Sequence, residues 1–136
     1  MTAAVERSDL ERANAAAPFN AWAGFTIETL APGRCVLSLA WRPEFAQYSG
    51  RLHAGIAAAM LETCCGFAAT MEIGPNLVSQ LSIAYVAGAV GERFIAEGAL
   101  IRGGRRQSFS EARLFSQTGP DRKLSAVATA ILLTTT

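Results

Sequence analysis

The stretch "HAGIAAAMLETCCGFAATM", residues 53–71, decides the fold. From Ala54 to Met71 it is rich in alanine, leucine and methionine, and "GPN" at 74–76 ends it, so it reads as one long helix. Its apolar residues fall on nearly every face instead of along one stripe. Such a helix cannot lie on the outside of a sheet, because its far side would meet water. The sheet has to wrap around it. The run holds one carboxylate, Glu62, and the chain's only histidine, His53, stands at its mouth.

Outward from the helix the pattern turns to strands. Upstream, apolar residues alternate at Phe25 and Ile27 and again at Cys35, Leu37, Leu39 and Trp41, broken by "APGR", which is the signature of a hairpin. "RPEFAQYSGR" (42–51) is a loop carrying proline and glycine. Residues 4–17 mix alanine with charges and read as a short surface helix stopped by Pro18. Residues 1–17 are thus a helical lead-in, and 18–136 one domain. Downstream lie "LVSQLSIAYVA", "RFIAEGALIR", "QSFSEARLFSQ" and "LSAVATAILL", separated by the turn-like "GAVGE", "GGRR" and "TGPDRK". Helix, two strands, one long helix and four strands give an α+β chain. Six antiparallel strands curled about the central helix is the hotdog architecture; the pattern also allows an open α+β sandwich.

The chain has 136 residues, 51% of them hydrophobic and 17% charged. Ordinary domains carry ~25% charge, so this surface is charge-poor and favours a homo-oligomer. A net charge of +1 supplies no global field for nucleic acid or an anionic membrane, so neither is expected as a partner. Three cysteines, two of them adjacent at 64 and 65, imply no disulfide framework and fit a reducing compartment. With no run of ~20 uncharged apolar residues and no signal-like start, the expectation is a cytoplasmic protein. One histidine without clustered carboxylates or spaced cysteines makes no metal site, and no cofactor is implied.

Glu62 is the anomaly. Its neighbours three and four residues away, Ala58, Ala59, Cys65 and Gly66, make a face without another charge, which points to a buried carboxylate of raised basicity and not to a solvated one. His53 lies nine residues earlier, roughly 13.5 Å along a helix and about 180° around it. Within one chain the two point opposite ways. If both serve one substrate, they come from two subunits.

These residues match a family. Gln47 through His53, Ala54 and Gly55 to Glu62, "Q-x5-H-A-G-x6-E", resembles the Asn/Gln-x5-His-Gly-Gly-x6-Asp/Glu signature of hotdog-fold thioesterases. The nearest types are the phenylacetic-acid-degradation (PaaI) group and the 4-hydroxybenzoyl-CoA thioesterases. The likeness runs from Pro18 to Leu133: "PFNAWAGFTIETLAPGRCVLSL" looks like the opening strands of that family, and the segments after Ser79 like its last four. The resemblance implies an acyl-CoA or aryl-acyl-CoA substrate, with coenzyme A leaving as product. It also implies a homodimer or dimer of dimers whose sites lie between subunits. Glu62 would attack the thioester or activate water. The backbone N–H of Ala54 or Gly55 would polarise the carbonyl, Gln47 would hydrogen-bond thioester or water, and His53 would orient the loop.

The chain departs from the signature in having Ala54 for the first glycine and Gly66 where the 4-hydroxybenzoyl-CoA branch has a hydroxyl residue. Gly66 implies close approach by substrate or a packing helix. Arg102, Arg105 and Arg106 gather around "GG" and are the candidate contacts for the phosphates of coenzyme A, or else solvated edge charges. Tyr48, beside Gln47, is a candidate wall of the acyl pocket. Cys64 and Cys65 read as buried small hydrophobes. The rival function is a non-catalytic hotdog protein that binds acyl-CoA as a sensor or docking module; a hydratase of the same fold would need a motif that is absent.

Overall fold

A computed structural model describes residues 4–135. Its elements are α1 (Arg7–Ala16), α2 (Pro18–Ala23), β1 (Thr26–Ala31), β2 (Arg34–Ala40), α3 (Ala54–Ile73), β3 (Asn76–Tyr85), β4 (Arg93–Arg102), β5 (Gln107–Thr118) and β6 (Asp121–Thr134). The strands form one antiparallel sheet in the order β1-β2-β4-β5-β6-β3, and every strand touches α3. This is the hotdog fold.

Alternation explains the wrapping. Phe94, Ala96 and Gly98 of β4, Ala112 and Leu114 of β5, and Ala126, Ala128, Ala130 and Leu132 of β6 face inward, while their neighbours face out. Against them α3 buries Ala57, Met60, Leu61, Cys64, Cys65, Ala68 and Ala69. Small residues dominate both surfaces, so backbone approaches backbone. At Gly98 a Cβ would stand 2.8 Å from Cys64 Sγ and 3.0 Å from the Cys64 carbonyl oxygen. Helix α3 is long and apolar enough to cross a membrane, yet it packs against all six strands and buries one side in the core.

Two segments differ from the sequence expectation. Pro18 ends α1, but it also starts α2, so "PFNAWA" is helical and not part of the opening strands. Proline suits the first position of a helix, where its missing N–H has no partner to lose, and Gly24 at φ 85° closes the turn. Leu10 of α1 enters the core at 5% exposure. The β5–β6 connection is also tighter than "TGPDRK" suggested. Thr118 pairs with Asp121 around Gly119-Pro120, and Arg122 and Lys123, both exposed, are already in the ladder.

Strand β3 is a sheet edge ten residues long, "NLVSQLSIAY", with neither a charge nor a proline. Edge strands that stay single carry such protection. This one has neither, and its only interruption is a bulge at Ser79.

Candidate active site

The loop before α3 is built around Gln47. Its Oε1 accepts from the backbone N–H and hydroxyl of Ser49 and from the N–H of Arg51 (3.3 Å), and its own N–H donates to the Arg51 carbonyl (2.8 Å). Gly50, at φ 85°, turns the chain so that its N–H reaches the Gln47 carbonyl. The side-chain oxygen is therefore committed to the loop, and only the Nε2 amide is free to donate. Tyr48, at the tip of this turn, stands fully in solvent and lines no described cavity.

His53 is the N-cap of α3. Its N–H donates to the Phe45 carbonyl (2.8 Å) and its Nδ1 accepts from the Gly55 N–H (2.8 Å). Of the two amides named from the sequence, that of Gly55 is thus engaged. The Ala54 N–H has no acceptor among the described residues, and it opens a twenty-residue helix whose dipole favours negative charge there. The Tyr85 hydroxyl donates to the Ala54 carbonyl (2.9 Å), tying this first turn to the end of β3. Partial burial holds the Tyr85 phenol above its ordinary pKa, so it stays a donor. Nothing in the motif pointed to Tyr85, because the contact spans 31 residues.

Gln47, Ala54 and Tyr85 line one cavity of about 280 Å³, floored by Leu52, Ala57, Leu114 and Ala126. Glu62 lines another, of about 290 Å³, with Ala13, Ala17 and Asn20 from the N-terminal helices, Thr63, Gly66 and Phe67 from α3, and Asn76 to Val78 from β3. No described cavity contains both halves of the motif. The sequence expectation that the carboxylate is buried is not met in the single protomer, where Glu62 is exposed and has no hydrogen-bond or ion-pair partner among the described residues. The physical reason is that its groove opens beside the uncharged β3 edge, where Asn76, Leu77 and Val78 border it.

At Gly66 the nearest atom to an added Cβ is Asn76 Oδ1 at 3.4 Å, an ordinary contact, so nothing within the protomer demands glycine. The Gly66 carbonyl accepts from Thr70 Oγ1 (2.7 Å) and Asn76 Nδ2 (3.4 Å), which pins this stretch of the groove wall. Arg102, Arg105 and Arg106 lie on the β4–β5 hairpin beside Ile73, at the opposite end of α3 from Ala54, and line no described cavity. The thiols of Cys35, Cys64 and Cys65 are fully buried. A hydrogen bond with Cys35 together with burial raises Cys64, and burial pushes Cys65 up to about 12. Neither is an activated nucleophile. No metal-binding group occurs among the described residues.

The chain is similar in shape to solved structures of the thioesterase superfamily. A thioesterase-family protein from Silicibacter pomeroyi is 28% identical, with a TM-score of 0.85 over 91% of this chain and 93% of its own. A second protein of the thioesterase superfamily is 26% identical, with a TM-score of 0.84 over 93% and 96%. A mutant of a thioesterase enzyme from Staphylococcus aureus shares the fold at 18% identity, with a TM-score of 0.79 over 85% and 96%. No curated protein matches the chain. A family model described as a domain of unknown function, DUF4442, matches residues 10–98, from the core-facing Leu10 through the whole motif to the close-packed Gly98. That span is more than half of the chain, and the protein therefore belongs to the DUF4442 family, here a hotdog domain of thioesterase-superfamily shape.

Proposed function

We propose that the protein is an acyl-CoA thioesterase of the PaaI / 4-hydroxybenzoyl-CoA type, acting as a homodimer with two sites between subunits. The observation that carries this reading is the division of the motif: an unpaired helix-start amide with Gln47 in one cavity, and an unpaired carboxylate in another. Each half lacks what the other supplies. Two protomers joined along their β3 edges would extend the sheet and bring Glu62 of one copy toward Ala54 of the other.

In the joined site the thioester carbonyl accepts from the Ala54 N–H, and Gln47 Nε2 donates to the carbonyl or to the attacking water. Glu62 of the second copy takes the proton as water adds to the carbonyl carbon. The oxyanion that forms is held at the helix start, where one such donor contributes about 3–4 kcal/mol in the transition state. Collapse of the adduct expels the thiolate, which takes up a proton to leave free acid and coenzyme A. Direct attack by Glu62, with water then cleaving the anhydride, uses the same geometry. The second copy would also cover Glu62, which the protomer leaves in water.

The test is thiol release from a panel of aryl-, short- and long-chain acyl-CoAs by the wild type and Glu62→Gln. Glu62→Gln keeps the shape and removes the base, and turnover is expected to fall about 10²- to 10⁴-fold. Unchanged turnover in the variant would remove the mechanism. Tight coenzyme A binding without turnover on any thioester would favour the acyl-CoA-binding sensor.

A further inference from the structure

We propose that Arg51 is the phosphate contact for the coenzyme A portion of the substrate; the proposal rests on the acyl-CoA reading above. Arg51 lines the cavity that also holds Gln47 and Ala54. Its Nη1 donates to Ser49 Oγ (2.9 Å), and that hydroxyl donates to Gln47 Oε1 (2.8 Å), so cation and motif glutamine are fixed in one network. On the other side the arginine shaft lies against Gly88. A Cβ there would come within 2.6 Å of Arg51 Nε and 2.8 Å of its Cδ. The missing side chain at Gly88 is what lets the guanidinium sit at the rim, next to Ala87 and Ala89 of the same wall.

Its charge is uncommitted. Arg7, Arg12, Arg42, Arg93 and Arg122 each face a carboxylate, whereas Arg51 has none within ion-pair distance among the described residues. Other unpaired arginines are worse placed. Arg34 and Arg113 line a depression of about 500 Å³ on the outer face of the sheet, which does not include Ala54 or Gln47 and which also holds the carboxylate of Glu111. Arg102, Arg105 and Arg106 line no described cavity. Among the described residues, only Arg51 combines a guanidinium without a carboxylate partner with the wall of the Ala54 cavity.

The substrate's chemistry fits this arrangement. Once the thioester carbonyl sits on the Ala54 N–H, the pantetheine arm can follow the apolar floor of Leu52, Ala57 and Ala126 toward the 86–89 segment. The phosphates then emerge where Arg51 waits, and a guanidinium fork matches phosphate oxygens two at a time.

Two readouts test the assignment. The first is binding of free coenzyme A, against pantetheine, by titration calorimetry; it needs no turnover and so is independent of the hydrolysis reading. The second is the ratio of kcat/KM for an acyl-CoA to that for the same acyl group on pantetheine, which lacks the nucleotide phosphates. Arg51→Met is expected to weaken coenzyme A binding and lower the ratio by roughly ten- to hundredfold, the equivalent of a lost charged hydrogen bond. Gly88→Ala pushes the arginine aside without touching its charge, and a drop in the same direction is expected. Arg51→Lys should recover part of the loss. A ratio unchanged in Arg51→Met, collapse of the ratio only in the combined Arg102→Ser, Arg105→Ser, Arg106→Ser variant, or equal losses on both substrates would each overturn the proposal. Failure of the wild type to bind coenzyme A would do so too. Loss of the hydrolysis reading alone, with Glu62→Gln unchanged, leaves these binding outcomes intact and readable.

Discussion

Two adjacent amides open α3, and the ring of His53 makes them unlike. By accepting from Gly55 the imidazole caps the helix, and the amide left over belongs to Ala54. The family signature names these positions, but only the ring's orientation tells which N–H is spoken for. The reverse holds for Glu62: its residue type and apolar neighbours were plain in the sequence, while its exposure depends on how α1, α2 and β3 border the groove. The cysteines supply a test at this scale. With Cys65 pushed up to about 12 and Cys64 raised as well, these thiols stay protonated at pH 8, and all three are sealed in the core. An aromatic disulfide reagent at pH 8 should leave Cys35, Cys64 and Cys65 unmodified in the native protein, and modify all three in guanidinium. Prompt native reaction at any of them would mean that the core opens locally.

Among elements, the seam between α3 and β4 is the tightest. Gly98 faces Cys64 so closely that a methyl group would press on both the sulfur and the helix carbonyl, and the backbone cannot yield as a side chain can. Gly98→Ala should therefore lower stability by about 1–3 kcal/mol, read as a lower urea midpoint at unchanged slope. An unchanged midpoint would show that helix and sheet are packed more loosely than described. The strand and helix order was legible because alternation and all-round apolarity are strong, local signals. The second N-terminal helix was not, because Pro18 serves at once as stop and start, and six residues are too few to show a period. The length of β6 was likewise hidden by charged residues at its start, which read as a loop until the ladder with β5 placed them.

For the whole molecule the open question is one of edges. Strand β3 ends the sheet with ten uncharged residues, and the charge-poor composition points the same way. Ser79 and Ser82 are exposed on that strand. Under a two-fold axis near the middle of β3, the two glutamates of one strand would lie close to those of the other copy and repel. Ser79→Glu combined with Ser82→Glu should sediment as a monomer, keep the far-ultraviolet circular dichroism of the wild type, and lose thioester turnover. A doubly substituted protein that remained dimeric and active would show that the subunits meet elsewhere.

By itself the sequence determined the fold class, through a helix apolar on every face and strands that alternate, and it determined the motif, because residue types at fixed spacing are local facts. Only the tertiary structure decided which amide is free, that Glu62 and Ala54 occupy separate cavities, and that Arg51 is seated against a glycine 37 positions away. These depend on chain segments distant in sequence meeting at a few ångströms, and no local pattern records such a meeting.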